Sequence, residues 1–235
     1  MAVSAASTRE YIRTLRTEGI VVIPNFLDAD VIARMREAVP PVTEFTEAEQ
    51  GENSHFYRDA RKISAFAPFF ASSVIRQVAR SHISPSADIY RAFIGLKMPG
   101  GRGFSFENFY HMDCWKQRVK VYLYLEDISE DGAPMTYLKG SHRGSWRLPM
   151  ESRLARLLRS DANGYTREES VFLGCFWPYE VMQLKQAHGY TDVTCTGKAG
   201  SLVIFDGRGL HHANVLRSQR RLILSTSWIH PGHHT

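Results

Sequence analysis

His111-Met112-Asp113 sets an imidazole and a carboxylate two residues apart. In extended chain, residues i and i+2 point to the same side, so both side chains could reach one ion. Alone the pair is weak: with ten histidines and aspartate at about one residue in twenty, on the order of 0.5 such pairs arise by chance, and on this motif alone a surface or capping pair is the better explanation. The signal strengthens about a hundred residues later, where Gly200-Ser201-Leu202-Val203-Ile204-Phe205-Asp206 reads as a turn and strand leading into Gly209-Leu210-His211-His212. A second imidazole at a strand end supplies what a 2-His-1-carboxylate facial triad needs, three protein ligands on one face of an iron(II) and three positions left open. A structural zinc site would want four ligands and no vacancy.

If 2-oxoglutarate chelates such a metal through its 2-oxo acid end, its far carboxylate needs a fixed bidentate partner, for which arginine is the preferred residue. Arg221 stands ten residues after His211. Along Arg221 to Trp228, Ile223, Ser225 and Ser227 share a face with Arg221, while Leu222, Leu224, Thr226 and Trp228 take the other. The first face suits a polar pocket better than a packed core. Arg220 has the opposite parity and reads as a surface charge, although a slip of one residue would exchange the two arginines, as it would exchange His211 with His212.

The elements that must position these residues are mostly short strands. Ser7-Thr8-Arg9-Glu10 has capping-box spacing, so residues 8–18 read as a helix stopped by Gly19. Ile20 to Ile23 follows as a buried strand ended by Pro24, and Asp28 caps a second helix that Pro40-Pro41 terminates. Residues 42–66 are polar without clear periodicity, a candidate loop over a site. Residues 68–81 place Phe69, Phe70, Val74, Ile75 and Val78 at helical spacing. Strands then run at Ile89 to Met98, Arg118 to Leu125, Met135 to Leu138, Val193 to Cys195, Ser201 to Phe205 and Leu222 to Trp228, punctuated by Gly, Pro and Asp. Many short strands without βαβ alternation predict a mainly β fold with flanking α-helices, a sandwich or jelly-roll barrel. One domain is expected over residues 1–235: an N-terminal helix-strand-helix module at 8–40, a barrel at about 89–228, and a lid or insert at about 144–190. Trp115, Trp146 and Trp177 lie beside or within segments that could cover the pocket mouth, where they could stack on a substrate or pack against the barrel.

Composition narrows the classes. Met1 to Thr8 lack a basic stretch followed by an apolar run, and no later segment approaches the roughly 18 apolar residues of a membrane span, so a soluble cytoplasmic protein with no membrane partner is expected. Cys114, Cys175 and Cys195 are odd in number and form no C-x-x-C pair, which argues against a disulfide framework or a structural zinc site. The net charge of +5 comes from Lys and Arg scattered along the chain, not gathered in a stripe, so no nucleic-acid partner is expected.

Four stretches, in order, resemble the phytanoyl-CoA dioxygenase-like branch of the 2-oxoglutarate-dependent oxygenases: Glu18 to Pro24 with its following helix, His111-Met112-Asp113, Asp131-Gly132-Ala133-Pro134 through Gly140-Ser141-His142-Arg143, and Gly200 through Arg221. Gly-Ser-His-Arg after an Asp-Gly-x-Pro turn is quite specific; Lys139 departs from the proline that usually precedes Gly-Ser-His. The resemblance implies a double-stranded β-helix, the cupin-like form of the jelly roll, and an Fe(II)-, 2-oxoglutarate- and O₂-dependent enzyme that hydroxylates or otherwise oxidises C–H bonds, releasing succinate and CO₂. It implies His111, Asp113 and His211 as iron ligands, with the spacing to the following arginine favouring His211 over His212. It further implies Arg221 as the co-substrate anchor, Lys97 and Tyr122 as further co-substrate contacts, and His142 as a hydrogen-bonded turn residue. The carboxylate of Asp113 leaves no place for a halide, which favours hydroxylation over halogenation.

A small-molecule substrate is expected, a secondary metabolite or modified amino acid first and an acyl thioester second, with the enzyme a monomer or homodimer. Rival readings are a cupin-type metalloenzyme that needs no 2-oxoglutarate, a nucleic-acid demethylase, and a non-catalytic ligand-binding barrel. The first would show His-x-His followed by Glu, which is absent around His111, and the second a clustered basic groove. His230, His233 and His234 read as an exposed tail.

Overall fold

A computed structural model of the chain describes residues 5–47, 53–100, 106–113, 116–144, 146 and 175–233. Cys114, Trp115 and most of the expected insert lie outside the described residues. Helix α1 (Ala5–Glu18) begins ahead of the expected cap, because Ala5 and Ala6 are strong helix formers and carry Ser7 and Thr8 inside the first turns. Strand β1 (Ile20–Ile23) follows, then α2 (Ala29–Glu37), which has Asp28 at its N-cap position but no side-chain cap hydrogen bond. This second helix closes at Ala38, before Pro40-Pro41 is reached.

The stretch from 42 to 66 is not a plain loop. It contains β2 (Thr46–Glu47) and β3 (Ser54–Tyr57), strands too short to show a period in sequence, and β3 pairs along β4 (Asp88–Lys97). The single helix expected over 68–81 is two, α3 (Ala67–Phe70) and α4 (Ser73–His82), because Ser72 turns extended and its Oγ accepts the Ile75 amide at 3.3 Å.

The remaining strands are β5 (Tyr110–His111), β6 (Arg118–Tyr124), β7 (Met135–Lys139), β8 (Cys175–Phe176), β9 (Thr191–Thr194), β10 (Leu202–Asp206), β11 (His211–Ala213) and β12 (Arg221–Ile229), with α5 (Pro178–His188) after β8. They form a seven-stranded sheet ordered β1-β10-β6-β12-β4-β3-β2 and a five-stranded sheet ordered β8-β5-β11-β7-β9. Tyr124, Val203, Phe205 and Ile223 from the larger sheet share one buried cluster with Met135 and Tyr137 from the smaller, so the sheets pack face to face as a jelly roll.

Alternation divides the larger sheet. Val119, Val121, Leu123, Leu202, Ile204, Leu222 and Leu224 face outward and pack with Leu15, Ile32, Met35, Ile75 and Val78 of the helices. Each such fully buried aliphatic side chain contributes about 1.5–3 kcal/mol relative to exposure. The alternate residues, Gly95, Lys97, Lys120, Tyr122, Arg221 and Ile223, face inward around a cavity. Among the described residues, no helix is long and apolar enough to cross a membrane.

The end of α1 is stitched to the Gly140-Ser141-His142-Arg143 turn. The Gly140 amide donates to Glu18 O at 2.8 Å, His142 Nε2 lies 3.1 Å from Arg16 O, and Arg143 donates to Thr17 O at 2.7 Å. The Asp206 amide donates to Gly19 O at 2.8 Å. Gly19 turns the chain here with φ +82°, and a Cβ would collide with the His142 ring and the Tyr137 hydroxyl.

Candidate metal centre and co-substrate pocket

β5 and β11 are neighbours in the smaller sheet, and His111 pairs directly with His211 across them. Directly opposed residues on antiparallel strands bring their side chains together, and the two imidazole centroids stand 4.6 Å apart. Asp113 follows β5, its amide fixed to Gly207 O at 2.9 Å. Ligand atoms of His111, Asp113 and His211 all lie within 4.8 Å of one another.

The two rings are oriented in the same way. His111 Nδ1 lies 2.8 Å from Phe109 O, and His211 Nδ1 lies 2.9 Å from Gly209 O, each the carbonyl two residues upstream. A carbonyl only accepts, so in the neutral ring each Nδ1 carries the proton and each Nε2 presents its lone pair, the arrangement second-shell carbonyls impose on metal-binding histidines. Leu210 is held through its amide by Ser141 Oγ at 2.8 Å, and Ser141 Oγ donates to Leu138 O, so the Gly-Ser-His turn clamps the strand that delivers His211. Tyr137 stacks at 6.2 Å and 15° from the His211 ring, and a Cβ on Gly209 would collide with that tyrosine.

Asp113 Oδ1 accepts from Lys120 Nζ at 2.7 Å, while its buried Oδ2 has no hydrogen-bond partner among the described residues. Oδ2 is 3.3 Å from His211 Nε2. An orphaned carboxylate oxygen among two imidazole lone pairs is a donor set that suits a divalent iron, which would satisfy all three. Burial pushes the Asp113 pKa up, but Lys120 and then His211 outweigh it and hold the carboxyl well below the usual range. Lys120 is correspondingly raised, Asp113 overcoming the effect of burial. Burial, with the neighbouring His211, lowers His111 to about 4. His111 and Asp113 therefore stand ready in their ligand forms near neutral pH.

Beside the centre lies a cavity of about 270 Å³ lined by β3, β4, β6 and β12. Arg221, Lys97 and Tyr122 all line it, with Lys120 and Glu107. Arg221 donates to Ala133 O at 2.7 Å, and Lys97 Nζ is 3.7 Å from Glu107 Oε2. Burial raises the Tyr122 pKa and keeps it a neutral phenol. Arg220 points the other way and pairs with Glu126.

His212 is not with the three. Its ring packs on Tyr110 at 4.4 Å and borders a separate apolar hollow with Phe109, Phe176 and Met182. His142, 1% exposed, sits in its turn against α1, and His230 accepts the Gly232 amide. Trp146 packs edge-on against Phe176 and donates to Tyr190, and Trp177 is 58% exposed beside Phe109; neither lines the cavity. Burial raises the Cys195 thiol to about 12 and the Cys175 thiol to about 11, so neither is a ready thiolate. Sequence reasoning missed Lys120, which shares strand parity with Tyr122, and Arg58, Arg91 and Glu107, which also line the cavity.

The family model for phytanoyl-CoA dioxygenase matches residues 104–222, just over half of the chain. No curated protein matches the chain by sequence. Similar solved structures include the epimerase SnoN in complex with Fe3+, alpha ketoglutarate and nogalamycin RO (18% identity, TM-score 0.63, covering 96% of this chain and 84% of that one). HygX from Streptomyces hygroscopicus, with nickel and 2-oxoglutarate bound, is 16% identical with a TM-score of 0.63, covering 98% and 88%. EctD from S. alaskensis, with 2-oxoglutarate and 5-hydroxyectoine, is 18% identical with a TM-score of 0.64, covering 97% and 76%. At such identities the likeness is one of fold.

Proposed function

The chain belongs to the phytanoyl-CoA dioxygenase family and is a non-haem iron oxygenase that depends on 2-oxoglutarate, and on that premise we propose which residues do the work and on what. His111 Nε2, Asp113 Oδ2 and His211 Nε2 hold the iron, and Arg221 anchors the far carboxylate of 2-oxoglutarate. The observation that carries this reading is the convergence of the three ligand atoms within 4.8 Å, beside the cavity that Arg221 lines. When bound, iron(II) with 2-oxoglutarate and O₂ supplies a two-electron oxidation: the co-substrate loses CO₂ to become succinate, one oxygen atom enters succinate and the other converts C–H to C–OH.

The protein's part is binding, orientation and exclusion of water. Lys120 holds Asp113 by one oxygen, which leaves the other directed at the metal. The two carbonyls fix both imidazole tautomers before the metal arrives. Arg221 sets the co-substrate's direction, and Lys97 and Tyr122 give it further polar contacts.

The substrate is a small molecule, since the cationic residues line a cavity of about 270 Å³ rather than a groove for nucleic acid. All the residues named come from one chain, so a monomer suffices and a homodimer would carry two complete sites. The described elements read as a single domain, and three cysteines without a C-x-x-C pair fit a cytoplasmic enzyme. Anaerobic ultraviolet-visible titration with Fe(II) and 2-oxoglutarate tests the reading. A weak charge-transfer band that saturates at one equivalent and disappears in His211→Ala and Arg221→Ala is expected. No band in the wild-type protein would overturn it.

A further inference from the structure

The cavity carries more positive charge than a dicarboxylate co-substrate uses. Its described lining holds five cationic side chains, Arg58, Arg91, Lys97, Lys120 and Arg221, and one carboxylate, Glu107. Three of the five are accounted for: Lys120 pairs with Asp113 at 2.7 Å, Lys97 lies 3.7 Å from Glu107, and Arg221 serves the co-substrate. Arg58 and Arg91 have no acidic partner among the described residues. Arg91 only leans on Tyr90, 4.9 Å from the ring centroid and 3.3 Å from the hydroxyl.

Strand register separates these two arginines from the co-substrate anchor. Ser54, Lys97 and Arg221 stand level across β3, β4 and β12, and Phe56, Gly95 and Ile223 come next. Arg58 continues the inward parity of Ser54 and Phe56. Arg91 stands level with Ser227, which in turn pairs with Lys120, the residue that holds Asp113. Lys97 and Arg91 are six residues apart on one strand, about 20 Å at roughly 3.3 Å per residue. Arg91 thus belongs to the metal end of the cavity, where a C–H bond to be oxidised must come, and both arginines are exposed at its mouth.

A guanidinium fork is built for planar or tetrahedral oxyanions. We propose that the substrate oxidised here carries an oxyanion, a carboxylate or a phosphate monoester, which Arg91 and Arg58 grip at the cavity mouth. The inference rests on the metal and co-substrate reading above and adds a substrate class to it.

The test uses the whole chain loaded with Mn(II) and 2-oxoglutarate, with inorganic phosphate and acetate as probes. Enhanced relaxation of the phosphate ³¹P or acetate ¹H signal reports an oxyanion near the metal, and water-proton relaxation reports Mn(II) binding separately. The enhancement should fall about tenfold or more in the Arg58→Leu/Arg91→Leu double variant, the scale of losing charge-assisted hydrogen bonds, while Mn(II) and 2-oxoglutarate still bind. A response to phosphate alone assigns a phosphate monoester, and one to acetate alone a carboxylate. Wild-type protein that binds Mn(II) and 2-oxoglutarate without enhancing either probe would overturn the inference and leave the metal reading standing. So would equal enhancement in the double variant, which is what an anion merely ligating the metal gives. Failure of the wild-type protein to bind Mn(II) or 2-oxoglutarate would instead bring down the metal reading, and the inference with it.

Discussion

On β12, Leu222, Leu224 and Trp228 turn outward into the core shared with the helices, while Arg221, Ile223, Ser225 and Ser227 turn inward. The outer side chains are interchangeable in kind, because apolar volume is what that face requires. Inward positions are not. Ser225 is fully buried and its Oγ has no hydrogen-bond partner among the described residues, and Lys120 and Asp113 are mostly buried as a pair. Burying such groups costs free energy that a leucine would not, so the inward face weakens the fold locally and the outward face offsets it. Stability and chemistry are thereby assigned to opposite sides of the same strands.

Substitutions on each side should break different things. Asp113→Gly on the cavity side should abolish metal binding and turnover while leaving the melting transition cooperative; substantial residual succinate release with substrate would remove Asp113 from the ligand set. On the outer side, Leu224→Ala should cost about 2–5 kcal/mol in urea denaturation and leave the 2-oxoglutarate affinity of the folded protein unchanged. A parallel loss of affinity would show that the faces are not separable. Arg221→Gln should raise the KM for 2-oxoglutarate about 10- to 100-fold, the worth of a lost charge-assisted pair, without loss of Fe(II) affinity.

The smallest effect concerns pH. Burial holds the folded His142 at about 4, below its ordinary 6.5. Between those values the unfolded chain binds a proton that the folded chain refuses, so stability should fall as pH drops through that window. One proton contributes at most about 1.4 kcal/mol per pH unit. His111 shifts in the same direction, so His142→Gln should flatten the slope without removing it. An unchanged slope in that variant would mean that His142 is not buried as a neutral ring.

How far the sequence disclosed this arrangement depended on length and locality. β4, β6 and β12 are long enough for alternation to show, and the inward parity of Arg221 was readable along its own strand. β5 and β11 have two and three residues, and what makes them strands is pairing between segments a hundred residues apart, which no local propensity encodes. The candidate ligand types were visible at His111, Asp113 and His211, but the choice between His211 and His212 rested on family spacing. The cross-strand pairing that separates them in space exists only in the folded chain. Lys120 could have been read, since it alternates with Val119 and Val121 beside Tyr122; what could not be read is that it reaches Asp113, just past β5 of the opposite sheet.

The stitching of α1 to the Gly-Ser-His turn makes the first helix more than an outer decoration. Its final carbonyls hold the turn whose Ser141 clamps the strand of His211, and the carbonyl of Gly19 holds Asp206 at the head of the same segment. Fraying of α1 would release these bonds together, so they form one cooperative opening unit. In hydrogen exchange, the Gly140 and Asp206 amides should then exchange at a shared rate, with α1 timing access to the strand that carries His211.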